Sequence, residues 1–216
     1  MTNKVLPKVF GWMFLGLLLT FATGYYLSLK PAAMMNILST GGLMTIIIIE
    51  LVVVLFLSFR IHKMSPLTAK ICFMIYSIIN GLTFSSIFLC YEMSSIIFVF
   101  LVAALVFGIF AVIGAVTKVD LSSIGTYLFM ALLGIIICML LNMFFKSQSF
   151  DLIISCITVV VFVGLTAYDI QRIIKMNAYA ALPEDNLAIF GAFQLYLDFI
   201  NIFLELLKLF GRSNDN

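Results

Sequence analysis

Charged residues are scarce in this sequence. Asp, Glu, Lys and Arg make up 10% of the 216 residues, whereas apolar residues make up 64%. Soluble domains carry about a quarter charged and about half apolar residues. The composition therefore excludes an ordinary soluble domain and predicts a chain embedded in a lipid bilayer. The 12 Lys and Arg residues form no basic run interleaved with aromatic side chains, so nucleic acid is not an expected partner.

Residue types that carry catalysis or bind metals are also rare. The single histidine, His62, stands beside Arg60 and Lys63, which leaves no histidine-based metal site or catalytic triad. The cysteines fall within apolar segments without CxxC or metal-ligand spacing, and we interpret them as reduced, buried small hydrophobes. They are Cys72, Cys90, Cys138 and Cys156. The sequence predicts a protein that is not an enzyme and holds no cofactor.

Proline occurs only at the edges of apolar segments, where its missing amide donor costs least. The four are Pro7, Pro31, Pro66 and Pro183. A membrane-spanning helix needs about 20 apolar residues, and four long stretches carry no charge: 9–29, 71–91, 93–117 and 121–145. We therefore predict one all-α membrane domain, 1–216, with seven spanning helices, the first a retained span and not a cleaved signal peptide. Their predicted ranges are 8–29, 33–60, 67–91, 94–117, 121–145, 149–176 and 186–210.

Orientation follows from the Lys and Arg residues near the span ends, which collect on the cytoplasmic side. With the N-terminus inside, that side holds most of the 12: Lys4, Lys8, Arg60, Lys63, Lys70, Lys118, Arg172 and Lys175. We predict a cytoplasmic N-terminus. The side of the C-terminus depends on the seventh segment, because a full crossing places it outside and a re-entrant segment returns it to the cytoplasm.

Two aspartates, Asp169 and Asp198, interrupt the last two apolar segments. The midpoint between them falls between Pro183 and Glu184, in a polar, helix-breaking cluster. A hairpin folded there places each aspartate about 14 or 15 residues from the turn, roughly 20 Å along its helix. The two carboxyl groups are therefore expected at the same depth. Ionisable residues inside a membrane usually serve a function.

The pair has two interpretations. Two like charges close together in a poor solvent bind one proton strongly and titrate as a unit; once deprotonated, Asp169 and Asp198 would offer hard oxygen ligands suited to Ca²⁺. Alternatively, each aspartate hydrogen-bonds a neighbouring helix or pairs with a base such as Arg172. We favour the proton-sharing pair.

Polar residues form a stripe on the seventh segment, at spacings that place them on one helical face. They are Gln194, Asp198, Asn201, Glu205 and Lys208. Such a stripe must turn away from lipid, which favours a helix surrounded by others and facing a cavity or the sixth helix. Thr166, Asp169 and Arg172 likewise fall near one face of the sixth segment. For Glu205 an interfacial role beside Lys208 is the alternative.

Charged residues of the second segment have their own alternatives. Glu50 lies near mid-membrane, and we favour a cavity-lining role for it. Arg60 is either an anchor that snorkels to the inner interface or a latch that reaches the aspartate pair and holds the second helix over a pore. In the third span, Tyr76, Asn80 and Thr83 are more simply interpreted as hydrogen-bonding between helices than as lining the same cavity.

Three strings resemble a known family. Residues 166–173 (TAYDIQRI) and 195–203 (LYLDFINIF), with 117–122 (TKVDLS), resemble the transmembrane Bax inhibitor motif family. The resemblance covers the chain in span number and loop length, and is most specific in the last two helices. It implies a bacterial member in the cytoplasmic membrane, with six helices in two layers around a central seventh helix.

The resemblance also implies a function, a pH-sensitive passive Ca²⁺ leak. Asp169 and Asp198 would be the sensing pair and Arg60 the latch, with protons as regulator. Deprotonation would either release the latch or strengthen its bond to the pair, so both directions of pH gating are compatible with the sequence. The alternatives are a regulator that binds membrane proteases or other membrane complexes, and a proton-coupled cation carrier.

Overall fold

The computed structural model describes residues 5–30 and 40–214. Within these residues the chain forms seven long α-helices, no strands, and a short 3-10 helix at Ile61–Lys63. In chain order the helices are α1 Val5–Ser28, α2 Thr40–Arg60, α3 Pro66–Cys90, α4 Met93–Val116, α5 Ser122–Phe145, α6 Gln148–Ala178 and α7 Glu184–Phe210. The predicted all-α class is confirmed. Residues 33–39 of the predicted second helix lie outside the described residues.

Six of these helices, α1 and α3 to α7, are long and apolar enough to cross a bilayer. Their first residues show why they begin where they do. Ser65 caps α3 by accepting a hydrogen bond from the Thr68 amide at 3.3 Å, and Pro66 occupies the first turn. Glu184 and Asp185 occupy the first turn of α7, where the helix dipole favours negative charge.

Burial differs sharply among the apolar helices. Of the most apolar part of α7, 78% is buried within the protein, compared with 6% for α5. An apolar helix can face lipid as readily as protein, so hydrophobicity alone does not predict burial. The predicted burial of the cysteines is wrong for this reason: Cys90 and Cys156 are exposed, and Cys72 and Cys138 are half-buried. The placement of six helices around α7 stays a prediction.

The described residues form two compact units. The first comprises residues up to 93, with 176–196 and 213–214; the second comprises 94–175 and 197–212. In the first unit, α1 and α3 approach closely at three glycines, Gly16, Gly24 and Gly81, where a methyl group would crowd the facing helix. Edge-to-face aromatic contacts join α3 to α7: Phe73 and Tyr196 have ring centroids 5.5 Å apart, as do Tyr76 and Phe193.

Ion pairs fix the start of α7 in the first unit. Lys8 Nζ lies 2.7 Å from Glu184 Oε1, and Lys70 Nζ lies 3.5 Å from Asp185 Oδ2. Asn186 adds a hydrogen bond from its Nδ2 to the Met64 carbonyl oxygen at 2.7 Å. Because Lys8 and Lys70 lie near the starts of α1 and α3, the three helices begin at the same end of this unit.

The segment after α7 fixes the opposite end. The Asn214 backbone amide donates to the Cys90 carbonyl at 3.0 Å, and its side-chain amide donates to the Leu89 carbonyl at 2.8 Å. Tyr91 and Ser213 form an isolated antiparallel bridge. The tail therefore meets the end of α3, whereas α7 starts beside the start of α3. This geometry favours the full crossing of the seventh segment over the re-entrant one, and the side of the C-terminus stays a prediction.

In the second unit, the C-terminal half of α7 packs against α4. The Phe199 ring lies edge-on to Phe100 and Phe107, with centroids 5.2 and 5.7 Å apart. The closest backbone approach in this unit joins α4 to α6. A Cβ atom at Gly114 would lie 2.8 Å from Ala167 Cα, which no real Cβ tolerates. Glycine at 114 thus permits α4 to touch the α6 backbone two residues before Asp169.

Candidate functional site

Asp169 of α6 and Asp198 of α7 lie in the same unit and are both buried. Asp169 is 5% exposed and Asp198 is 4% exposed. The two carboxyl groups interact electrostatically, and the Thr166 hydroxyl lies near Asp198. Asp198 Oδ2 is buried without a hydrogen-bond partner. The structure thus brings together two buried carboxyl groups. Few polar groups at this site are available to stabilise a negative charge on either of them.

Arg172 acts electrostatically on Asp169 from one turn further along α6. Its own side chain is exposed, whereas Asp169 is buried. Both sequence interpretations therefore have a physical counterpart in this unit, a carboxyl pair and a neighbouring base. An exposed guanidinium is screened by its surroundings more than a buried one, so Arg172 compensates the pair only in part.

Three hydroxyl groups along α6 are satisfied within the helix itself. The hydroxyls of Ser155, Thr158 and Thr166 each donate to the carbonyl four residues earlier, at 3.0, 2.8 and 2.9 Å. Such bonds let hydroxyl side chains sit in an apolar helix without an external partner. Asp169 differs because a carboxylate has no proton to donate. Burial is therefore costly for Asp169 in a way that it is not for the hydroxyls.

Gln171 is a residue of this unit that the sequence interpretation did not single out. Its Nε2 donates to the Val119 carbonyl at 2.8 Å, and its Oε1 accepts from the Leu121 amide at 2.8 Å. One side-chain amide thereby holds both backbone groups of the loop between α4 and α5. The sequence of residues 117–122 identified the loop but not its hydrogen-bond partner. Only the fold shows that this partner is Gln171, because it lies about 50 residues away in sequence.

An ion pair reinforces the same loop. Lys175 Nζ lies 2.5 Å from Asp120 Oδ1, and the Ser122 amide donates to the same oxygen at 2.9 Å. Lys175 and Ser122 hold the pKa of the Asp120 carboxyl well below its usual range. Gln171 and Lys175 follow Asp169 on α6, so the loop is tied to the helix that carries the buried carboxyl group.

Along α7 the predicted polar stripe has mixed surroundings. Asn201 Nδ2 donates to the Leu197 carbonyl of its own helix at 2.7 Å. Glu205 is half-buried, with Oε2 lacking a hydrogen-bond partner. Lys208 pairs with Asp151 of α6 at 2.6 Å, an arrangement that the alternative pairing with Glu205 did not anticipate. Gln194 is half-buried and belongs to the first unit.

Glu50 and Arg60 belong to the first unit. Glu50 is half-buried, and its Oε2 accepts a hydrogen bond from the Thr83 hydroxyl at 2.8 Å. Arg60, the last residue of α2, is exposed. The latch role of Arg60 and the cavity-lining role of Glu50 both stay predictions. Among the residues that the structure describes, no three His, Cys, Asp or Glu side chains cluster as metal ligands.

Comparison with known proteins decides the family. The sequence profile of the family described as "Inhibitor of apoptosis-promoting Bax1" matches residues 2–215. The chain belongs to this Bax inhibitor family. The resemblance seen in residues 117–122, 166–173 and 195–203 is therefore confirmed.

Bacterial relatives of this Bax inhibitor-family protein match over about three quarters or more of their length. The Escherichia coli K12 inner membrane protein YbhL is 44% identical over 212 residues, covering 95% of this chain and 90% of YbhL. A Borreliella burgdorferi protein described as uncharacterized is 42% identical over 220 residues, covering 99% and 94%. A Streptococcus pyogenes membrane protein, also described as uncharacterized, is 39% identical over 168 residues, covering 77% and 73%.

The relatives and the apolar helices together support a membrane protein with several spanning helices. This part of the predicted location is confirmed. The cytoplasmic position of the N-terminus stays a prediction of the Lys and Arg distribution.

Proposed function

We propose that this Bax inhibitor-family protein is a passive Ca²⁺ leak in the cytoplasmic membrane and that protonation of Asp169 and Asp198 controls it. The observation that carries the proposal is the burial of both carboxyl groups in one unit, where their charges act on each other. A protein that needed these residues only for packing would gain nothing from two interacting acids in an apolar interior.

The proposed switch is electrostatic. With one proton shared, the pair carries a single negative charge; loss of that proton adds a second charge at a site where Asp198 Oδ2 already lacks a partner. Like charges in a low-dielectric interior repel strongly. The pair then either gains a cation or changes the helix contacts around it. Two carboxylates supply the hard oxygen atoms and the charge that Ca²⁺ prefers, and the ion here is cargo.

The stripe on α7 gives the proposal a route. Asn201 and Glu205 follow Asp198 along the helix, and Glu205 Oε2 is a second buried carboxyl oxygen without a hydrogen-bond partner. Unpaired oxygen atoms repeated along one helical face suit a cation that moves between them. We include in the proposal a central position for α7, supported by its high burial, and Thr166 as a neutral oxygen beside the pair.

The gate is assigned to α2. Arg60 at its end would act as the latch, and a switch of this kind needs an element with two stable positions. The proposal also keeps the cytoplasmic N-terminus, supported by the excess of Lys and Arg on that side.

Flux into liposomes tests the proposed function. Purified protein is reconstituted around a Ca²⁺-sensitive dye, and Ca²⁺ entry is followed across a series of pH values. We expect entry that depends on pH in the wild type and loses that dependence when Asp169→Asn and Asp198→Asn are combined. Asp120→Asn is the matched control, since its carboxyl group lies in an exposed loop.

Two results would overturn the proposal. One is entry no faster than into protein-free liposomes at every pH; the other is an unchanged pH profile in the double variant. Counting protons moved per Ca²⁺ separates a leak from a carrier, because a fixed ratio of the two contradicts passive flow.

A further inference from the structure

Two buried oxygen atoms in the first unit, Glu50 Oε1 and Asn80 Oδ1, have no hydrogen-bond partner. They belong to two helices that are in contact, α2 and α3. The Thr83 hydroxyl of α3 joins these helices by donating a hydrogen bond to Glu50 Oε2 at 2.8 Å. Asn80 is 8% exposed. Its side chain interacts with both Glu50 and the Tyr76 hydroxyl. A carboxylate, an amide oxygen and two hydroxyls therefore meet inside an apolar helix pair.

Unpartnered acceptors at this depth are costly, because neither water nor lipid satisfies them. The two oxygen atoms cannot satisfy each other, since both are acceptors. The Thr83 proton is used by the other oxygen of Glu50. A positive ion between α2 and α3 would satisfy both oxygen atoms at once.

We propose that Glu50, Asn80 and Thr83 form a binding site for a monovalent alkali cation of the size of Na⁺. The set consists of oxygen atoms only, which is the chemistry that hard cations prefer. It contains one carboxylate, so a monovalent ion leaves the site neutral, whereas a divalent ion would leave an uncompensated positive charge in a low-dielectric interior. The site is separate from Asp169 and Asp198, where two carboxylates match a divalent ion.

A protonated Glu50 is the competing arrangement. The carboxylic acid would donate to Asn80 Oδ1 and satisfy both atoms without any ion. The two arrangements differ in one measurable property, the response of the folded protein to Na⁺. A bound ion stabilises the folded state by an amount that grows with the logarithm of its concentration above the Kd, whereas the protonated acid gives no such response.

The test is thermal unfolding of the full-length protein in detergent, in NaCl, KCl, CaCl₂ or choline chloride at equal ionic strength. For the wild type we expect NaCl to raise Tm over choline chloride, by roughly 3–6 °C at about ten times the Kd. Glu50→Gln should abolish the rise, and Thr83→Val should weaken Na⁺ binding by about 10- to 100-fold. Glu184→Gln, which removes an exposed carboxylate of the same unit, should retain it.

Asn80→Asp gives the sharpest outcome. It adds a second carboxylate to the set, so charge matching predicts that CaCl₂ now stabilises the protein more than NaCl does, measured in a chain that also carries Asp169→Asn and Asp198→Asn to remove Ca²⁺ binding at that pair. The proposal is overturned if the wild type responds equally to NaCl and choline chloride, if Glu50→Gln keeps the response, or if Asn80→Asp leaves the preference for Na⁺ unchanged.

The result is independent of the proposed Ca²⁺ leak. The variant that combines Asp169→Asn with Asp198→Asn should keep the Na⁺ response in full, because neither carboxyl group is among the oxygen atoms of the proposed site. Loss of the response in that variant alone would assign Na⁺ to the aspartate pair and reject the site at Glu50. Failure of the leak with retention of the Na⁺ response would leave the cation site standing.

Discussion

Asp198 is a buried acid of the second unit with little compensation for its charge. One of its carboxyl oxygens is buried without a hydrogen-bond partner. The groups that act on its carboxyl group are the Thr166 hydroxyl and the acid Asp169. Leaving a buried polar atom unpaired costs about 1–3 kcal/mol, and more for a charged group. A protein that keeps such a residue retains a local instability, which the proposed binding of a proton or cation would relieve.

Small residues at two positions allow α6 to hold Asp169 in place. Gly114 accepts the α6 backbone at Ala167, and Gly125 accepts the ring of Tyr168. A Cβ atom at Gly125 would lie 2.6 Å from Tyr168 Cδ2. The residues that meet these glycines, 167 and 168, directly precede Asp169. The position of the Asp169 carboxyl group therefore depends on the lack of a Cβ atom at Gly114 and Gly125.

Substitution of Gly114 is the first prediction. Gly114→Ala forces a methyl group against the α6 backbone and should destabilise the protein by about 1–3 kcal/mol. Gly108→Ala is the matched control, because a Cβ atom there meets nothing within 4 Å and alanine favours a helix over glycine. Thermal unfolding in detergent measures both. A Gly114→Ala protein as stable as Gly108→Ala would show that α4 and α6 do not touch as described.

At the scale of elements, the loop between α4 and α5 is fastened to α6 by three side-chain contacts. Gln171 holds Val119 and Leu121, and Lys175 holds Asp120. The partners lie on the part of α6 that follows Asp169. A movement of α6 at the buried carboxyl group would therefore have to carry the loop with it or break these bonds.

Replacement of the Gln171 amide is the second prediction. Gln171→Leu leaves the Val119 carbonyl and the Leu121 amide without partners and should increase amide hydrogen exchange and protease cleavage in residues 117–121. Gln171→Glu keeps the acceptor and loses the donor, so an intermediate effect is expected. The control is Gln148→Leu, at an exposed position of the same helix. Equal protection of residues 117–121 in Gln171→Leu and Gln148→Leu would show that Gln171 does not hold the loop.

The Asp120 ion pair supplies a pH prediction. Because the pKa of Asp120 is depressed in the folded state, its pairing stabilises the loop at every pH above the ordinary carboxyl pKa. That contribution is lost only as the pH falls through the depressed value. Asp120→Asn should therefore leave the pH at which Ca²⁺ entry changes unaltered near neutrality. A shift of that pH in the liposome assay would make the loop, and not the buried pair, the sensor.

Elements with distinctive spacing were predictable. The charges and prolines that bound the apolar stretches predicted helices that begin and end within a few residues of α1 and α3 to α7. The hairpin at Pro183 also predicted that Asp169 and Asp198 lie in neighbouring helices. Contacts between distant residues were not predictable, since nothing local marks Gln171 as the partner of 119 and 121 or Lys208 as the partner of Asp151. Exposure of the cysteines was missed because lipid and protein are equally apolar neighbours.

At the scale of the whole molecule, α7 links the two ends of the first unit. Its start is paired with Lys8 and Lys70, and the segment after it is bonded to the end of α3. A helix of 27 residues is long enough to cross a bilayer, at 1.5 Å per residue. We therefore predict that the residues at its two ends face opposite sides of the membrane.

Cysteine labelling tests this topology. Glu184→Cys and Ser213→Cys are placed one at a time in a chain whose native cysteines have been replaced. With a cytoplasmic N-terminus, a membrane-impermeant maleimide should label Ser213→Cys in intact cells and Glu184→Cys only in inverted vesicles. Labelling of both from one side would contradict the full crossing of α7. Labelling from the reversed sides would keep the crossing and reject the cytoplasmic N-terminus.

The proton-sharing pair itself is tested by comparing single and double variants in the liposome assay. If Asp169 and Asp198 titrate as one unit, either single substitution to Asn should remove the pH dependence of Ca²⁺ entry as completely as both together. The remaining carboxyl group then has no second carboxyl group with which to share a proton. Independent carboxyl groups would each remove part of the dependence, and the two parts would add up in the double variant. Additive single variants would contradict the account.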